Sequence, residues 1–139
     1  MSMELLANHI IAVAQEQNKE ITNLQLQKVM YFALKHALQK DIFSDEELQE
    51  LYDEPFLVWT YGPVVKSQYE RFKRFGSSPI LGTYHIENNL VRLNSEIIAR
   101  LSESASKLVK ESHKVPFWQE HENDIVGFRS NVEYSLGDI

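Results

Sequence analysis

The sequence contains no cysteine among its 139 residues. Disulfide bonds, thiol catalysis and cysteine-ligated zinc are therefore excluded, and the composition fits a reducing compartment. Glycine is scarce, with 5 residues, and none of them belongs to a Gly-rich phosphate-binding loop. No apolar run approaches the roughly 20 residues that span a bilayer. The N-terminus does not have the basic flank and apolar core of a signal peptide. We therefore expect a cytoplasmic protein that does not enter a membrane.

Patterns that mark catalytic sites are also missing. No serine lies in a G-x-S-x-G turn, and no H-E-x-x-H zinc motif is present. His113 and His121 have carboxylates nearby, but Pro116 lies between them, so a shared metal site is disfavoured. The acidic residues cluster in one stretch, whereas a glycosidase needs two carboxylates across a cleft. We predict no enzyme activity, no cofactor and no metal site.

The charge is acidic overall but unevenly distributed. Twenty acidic and 14 basic side chains give a net charge of −6, which makes nucleic-acid binding unlikely as a main function because that binding depends on neutralised phosphates. Residues 41–54 carry seven acids and no base, whereas residues 66–74 carry four bases and one acid. Two interpretations stay open at this stage. The asymmetry orients a charged protein partner, or the two segments are simply solvated faces.

The hydrophobic period of the N-terminal half predicts three helices, over residues 3–17, 22–39 and 44–54. Thr22 with Gln25 forms a capping box at the start of the second helix, and Ser44 with Glu47 forms one at the start of the third. Lys28 interrupts the apolar surface of the second helix. It is either a snorkelling side chain or a group with a specific partner.

An aromatic-rich elbow follows. Residues 56–61 are predicted to be extended, because they are β-branched and aromatic. Gly62 and Pro63 are predicted to start a helix, since proline is favoured at the first helical position. Gly76 is predicted to end this helix in a left-handed cap. The aromatic side chains of the elbow are interpreted as core in preference to a platform for stacked bases; they are Trp59, Tyr61, Tyr69 and Phe72.

The C-terminal half is predicted to hold a hairpin over residues 84–93, a helix from Asn94 or Ser95 to Ser112, and a short turn at 120–124. Residues from Gly127 onward have no clear period. The expected fold class is mainly α: one compact helical domain over residues 1–139, with a short β-hairpin or small sheet packed on the helices.

Two segments resemble the Panacea domain family, which includes the SocA-like antitoxins and many phage-associated proteins. Residues 24–33, L-Q-L-Q-K-V-M-Y-F-A, are similar to the family's L-x-K/L-Q-K-L-L-Y-x-A helix. Residues 59–76 resemble the family's W-x-Y-G-P-V-x-x-x-Y-x-x-F signature. A weaker likeness to a T-H-x-x-x-P-W element involves His113, Pro116 and Trp118. Here a serine replaces the threonine, and a phenylalanine stands between proline and tryptophan.

The resemblance implies a mostly helical antitoxin that neutralises a cognate toxin by direct protein contact, without catalysis, and it allows a prophage origin. Some family members resemble adaptors that deliver a toxin to a protease. The alternative is a phage or regulatory binding module, or a protease adaptor, that acts on a host protein; self-association stays open. The positions carried over from the family are Lys28, Tyr31, Trp59, Tyr61, Gly62, Pro63, Tyr69, Phe72, His113 and Trp118. The candidate partner-binding residues are the basic Lys66, Arg71, Lys73 and Arg74 and the acidic Glu46, Glu47 and Glu50.

Overall fold

The computed structural model describes residues 1–139 and contains seven α-helices and one two-stranded antiparallel sheet. The helices are α1 (Met3–Glu16), α2 (Asn23–Gln39), α3 (Asp45–Leu51), α4 (Lys66–Phe72), α5 (Asn94–Leu101), α6 (Ala105–Ser112) and α7 (Pro116–His121). The strands are β1 (Phe56–Trp59) and β2 (Gly62–Val65), and 3-10 helices cover Lys73–Phe75, Asn88–Leu93, Glu122–Asp124 and Leu136–Asp138. The expectation of a mainly α fold with a small sheet packed on helices is confirmed. No helix combines the length and apolar character that crossing a membrane requires.

Helix α2 is the centre of the fold. Its residues 26–34 are buried without interruption, so the middle of the helix is enclosed on every side. It packs against α1, α4, α5, α6 and β2. The main hydrophobic core is built around it and includes Leu26, Met30 and Leu34. A helix enclosed in this way gains its stability from packing rather than from its intrinsic propensity.

The predicted starts of α2 and α3 are confirmed. The Thr22 hydroxyl accepts from the Gln25 N–H, and the Gln25 side chain accepts from the Thr22 N–H in return. Ser44 and Glu47 form the same reciprocal pair at α3. Each box satisfies backbone N–H groups that have no partner inside the helix. These bounds were predictable because every group that sets them lies within four residues along the chain.

The prediction that Gly62 and Pro63 start a helix is wrong. They begin β2, which pairs with β1 in a tight hairpin whose register places Trp59 opposite Gly62 and Val58 opposite Pro63. Gly62 has a φ of 99°, which a right-handed helix does not allow. Pro63 costs the sheet no hydrogen bond, because the N–H of Val58 opposite it points to the other edge and donates to Val132.

The helix of the elbow begins only at Lys66 and gives way to a 3-10 turn at Lys73. Gly76 ends that turn with a φ of 58°, so the predicted positive φ is present. Its ψ of −128° lies outside the left-handed helical region, so the predicted left-handed cap is wrong. Phe72 is buried on this helix, whereas Tyr69 is half-buried and Val65 lies in β2.

Two predictions for residues 84–112 are also wrong. No hairpin forms over 84–93, because the Glu87 N–H donates to the ring of the buried His9 and the following residues wind into a 3-10 helix. The single helix predicted up to Ser112 is two helices, α5 and α6. The Ser104 hydroxyl accepts from the Lys107 N–H and caps the start of α6, so the chain turns between the two.

The C-terminal segment covers the second edge of β1. The Thr60 N–H donates to Phe128, the Val58 N–H donates to Val132, and the Tyr134 N–H donates to Phe56, at 3.0, 3.0 and 2.9 Å. Strand β1 therefore lies between β2 on one side and this irregular segment on the other. The sheet has no open edge at β1 that another chain could extend.

The capping box of α2 gives a test of the fold. We expect Thr22→Ala to lower the free energy of unfolding by about 1 kcal/mol, because the Gln25 N–H loses its acceptor. Thr83→Ala is the matched control, since Thr83 is exposed and lies outside every helix and strand. Urea denaturation of both variants measures the difference. Equal stability of the two variants would mean that the box does not hold the helix start.

Candidate functional site

Lys28 lies beneath the hairpin, completely buried. Its side-chain amino group donates to the carbonyl oxygen of Pro63 at 2.7 Å. Burial lowers the pKa of Lys28 to about 7, because the charged form has no water around it. The snorkelling interpretation of this residue is therefore wrong. Lys28 has a specific buried partner, which is the backbone of the hairpin.

Gln27, the neighbour of Lys28 on α2, also binds the backbone of the hairpin. Its side-chain oxygen accepts from the Val65 N–H at 2.9 Å, and its amide donates to Asn23 at 3.1 Å. The Pro63 carbonyl and the Val65 N–H both lie on the edge of β2 that faces away from β1. Two adjacent side chains of α2 thus satisfy this edge as a third strand would. Unpaired backbone groups would be costly in such a buried place.

Gly62 sits where a side chain has no room. A Cβ at this position would collide with the hydroxyl of Ser112 on α6 and would lie 3.1 Å from Cε of Lys28. Ser112 is itself buried, and its hydroxyl donates to the Val109 carbonyl at 2.7 Å. Close packing and the positive φ therefore both require glycine here.

His113 and Trp118 bind two further carbonyls of the same turn. The His113 Nε2–H donates to the Thr60 carbonyl at 2.9 Å, and the Trp118 indole N–H donates to the Trp59 carbonyl at 2.9 Å. The two rings are stacked, with centroids 3.8 Å apart. Burial lowers the pKa of His113, so the neutral ring is favoured. Because a carbonyl only accepts, the proton of that neutral ring lies on Nε2.

Seven of the ten positions taken from the resemblance therefore meet at one place, although they come from three distant segments. These seven are Lys28, Trp59, Tyr61, Gly62, Pro63, His113 and Trp118. Tyr69 packs edge-on against Trp59 at 5.0 Å. Tyr31 and Phe72 lie in the core away from the turn, and the Tyr31 hydroxyl is buried without a hydrogen-bond partner.

Beside this rigid turn lies an exposed apolar surface, which we call the hairpin patch and define as Leu24, Tyr61 and Phe128. Tyr61 is 59% exposed, Phe128 51% and Leu24 37%. All three line one groove of about 330 Å³, together with Trp59 and other residues. Exposed apolar side chains that lie together in this way are a candidate contact site.

The predicted basic face is only partly available. Lys66, Lys73 and Arg74 are exposed. Arg71 is engaged within the fold, since it donates to Asn8 at 2.7 Å and stacks over the ring of Phe72 at 4.6 Å. Three of the four predicted basic residues are therefore exposed, and one of them, Lys73, lies 3.8 Å from the carboxylate of Glu70.

The predicted acidic residues lie on α3, away from the turn. Glu46 is exposed. Glu47 caps the helix and lies 3.7 Å from the guanidinium of Arg92. Glu50 binds the N-terminal ammonium group at 2.7 Å.

His121 pairs with Asp124 at 2.8 Å, and no three histidine or carboxylate side chains are arranged to hold a metal ion.

Sequence reasoning missed several contributors to this site. Gln27 could have been found from its position, because it is polar and precedes Lys28 on an otherwise apolar part of the helix. No such signal marked Ser112 or Phe128. Ser112 looked like the end of a helix, and Phe128 lies in a stretch without periodicity.

Comparison of the chain with models of known protein families, with curated proteins and with solved structures yields no match in any of the three.

Substitution of Gly62 tests the close packing of the turn. We expect Gly62→Ala to lower the free energy of unfolding by about 3 kcal/mol, from backbone strain together with the collision at Ser112. Gly127→Ala is the matched control, because Gly127 has a φ of 71° but open space around it. It should cost only about 1 kcal/mol, the strain alone. Chemical denaturation that gives the same loss for both variants would show that Ser112 moves aside freely.

The pKa of Lys28 predicts a pH dependence of stability. Between the folded pKa of about 7 and the ordinary value of 10.5, the unfolded chain binds a proton at Lys28 that the folded chain does not. The free energy of unfolding should therefore rise with pH over this window, by about 1.4 kcal/mol per pH unit at most. Burial of Lys28 therefore costs the fold nothing above pH 10.5, and this cost reaches its maximum as the pH falls to about 7 and below.

Lys28→Met should remove that rise, since methionine does not titrate. Urea denaturation of both proteins at intervals from pH 7 to 9.5 gives the two slopes. The upper limit of pH 9.5 keeps tyrosine, whose pKa in the unfolded chain is about 10, mostly protonated. Parallel curves for wild type and variant would contradict the buried, deprotonated lysine.

Proposed function

We propose that the protein is the antitoxin of a toxin–antitoxin pair and neutralises its toxin in the cytoplasm by direct protein–protein contact. The observation that carries the proposal is the convergence of the Panacea-like residues on one rigid hairpin turn, with the hairpin patch exposed beside it. Segments that resemble a family signature are expected to share one structural purpose. Here that purpose is to fix a loop that presents apolar side chains to a partner.

The use of the polar groups supports binding over catalysis. Lys28, His113 and Trp118 each donate to a backbone carbonyl of the turn. A reaction would need a nucleophile or base that is free to face a substrate in a cleft. The three side chains are instead occupied by the fold, which suits a scaffold that holds a contact surface.

The chemistry of the surface favours a protein partner over nucleic acid. Tyrosine and phenylalanine are enriched in protein interfaces, where they bury large areas at low entropic cost. The chain carries a net charge of −6, and a phosphate backbone would be repelled by most of its surface.

Co-expression tests the proposed function. Each gene that neighbours this one is expressed alone from a tightly controlled promoter and then together with this protein. We expect one neighbouring product to arrest growth alone, and growth to return when this protein is present in at least equal amount. The purified pair should run as one complex in size-exclusion chromatography. Absence of any toxic neighbour at strong induction would contradict the proposal.

A second host separates neutralisation from delivery to a protease. Rescue is repeated in a strain that lacks the major ATP-dependent cytoplasmic proteases. A direct neutraliser rescues equally well there, whereas an adaptor loses its effect and the toxin accumulates. Where no neighbour is toxic, a defined host protein that co-purifies at a fixed ratio would instead assign the regulatory module.

A further inference from the structure

The hairpin patch has the form of a binding groove rather than of scattered surface residues. Leu24 and Tyr61 together line two adjoining depressions, one of about 330 Å³ shared with Phe128 and one of about 510 Å³ that reaches Lys110. Trp59 and Val64 belong to a small apolar cluster of their own and form part of the wall of the first depression. The concavity has the size of a pocket that takes one large side chain and its neighbours.

The backbone beneath Tyr61 is held before any partner arrives. The carbonyls of Trp59, Thr60 and Pro63 each accept from a buried or half-buried side chain. The Thr60 N–H donates to Phe128, which ties the two aromatic members of the patch together through the main chain. A surface that is ordered in advance loses little conformational entropy on binding.

The charges around the groove are positive, in contrast to the rest of the chain. Lys73 lines the first depression and Lys110 the second, and no carboxylate lines either one. The guanidinium of Arg129 lies 4.4 Å from the ring centre of Trp59. Glu70 offsets part of this charge, because it lies 3.8 Å from Lys73 and 3.4 Å from Arg129. Lys110 forms no ion pair within the chain.

We propose that the hairpin patch is the docking site for an acidic segment of a partner protein, which inserts an apolar anchor side chain into the groove lined by Tyr61 and Phe128 and sets its carboxylates against Lys73 and Lys110. The charge of the rim selects an acidic segment, and the apolar walls select the anchor. The inference rests on the proposed function only in taking the partner to be a protein.

Selection of peptides on the full chain tests the docking site without the toxin in hand. A displayed library of random 12-residue peptides is selected against the immobilised protein. The winning peptide is then synthesised with a fluorescent label, and its Kd is measured by anisotropy. We expect selected peptides to carry an aromatic or aliphatic residue flanked by aspartate or glutamate. Their affinity should fall as the salt concentration rises.

Paired variants locate the binding. Tyr61→Ser with Phe128→Ser should weaken the selected peptide at least tenfold, and Lys73→Glu with Lys110→Glu should weaken it at least fivefold at low salt. Leu81→Ser with Val91→Ser is the control, because these apolar side chains are 68% and 43% exposed away from the groove. It should leave the Kd unchanged. Each variant must melt within a few degrees of wild type before its Kd is compared.

Four results would overturn the proposal. They are failure to select any consensus, selection of basic peptides, a wild-type Kd in the Tyr61→Ser/Phe128→Ser variant, and tighter binding of a labelled single-stranded RNA 20-mer that this variant loses. The last would assign the groove to nucleic acid. A failed selection with a successful growth rescue would remove this surface and leave the antitoxin function standing. A successful selection without any toxic neighbour would support this docking site and contradict the antitoxin function.

Discussion

The hydrogen bond from Lys28 to the Pro63 carbonyl joins the helical part of this protein to its sheet. Lys28 lies within nine consecutive buried residues of α2, so its amine is cut off from water and must be paired inside the protein. The hairpin register turns the Pro63 carbonyl away from β1 and toward α2, where Lys28 reaches it at 2.7 Å. Gln27 pairs the next free group of the same edge. Loss of the hairpin would leave a buried amine without an acceptor, so helix and hairpin depend on each other.

The same turn explains why residues far apart in the chain belong to one unit. His113 and Trp118 donate to two successive carbonyls of the turn, those of Thr60 and Trp59. Their rings stack, so each helps to orient the other. The turn is therefore fixed between α2 and the chain around α7, and Tyr61 at its tip points outward as a consequence. The contacts that fix the backbone of the turn therefore also leave the side chain of Tyr61 exposed.

Local signals predicted local structure well, and failed where a distant residue decides. The boxes at Thr22 and Ser44 set the starts of α2 and α3 because all the bonding groups are close in sequence. Pro63 suits a helix start and a strand edge equally well, and it can lie in β2 because the Val58 N–H opposite it donates to Val132 in the distant C-terminal segment. The predicted hairpin at 84–93 fails for a similar reason, since His9 takes the N–H of Glu87. The helix cap at Ser104 is a local signal, but it was overlooked because the apolar positions on both sides of it fit one continuous helix.

The candidate site was half visible in the sequence. The resemblance identified the residues that meet at the turn, but their roles depend on contacts across the fold, and Phe128 joins the patch only because the free edge of β1 binds residues 128–134. A distinction follows for any study of function. Removal of Lys28, Gly62 or Trp118 breaks bonds or packing that hold the turn, so a loss of activity there reports on the fold. Tyr61 and Phe128 are the members of the site whose side chains can be cut back while those bonds remain. Contacts with a partner are therefore best sought at these two positions.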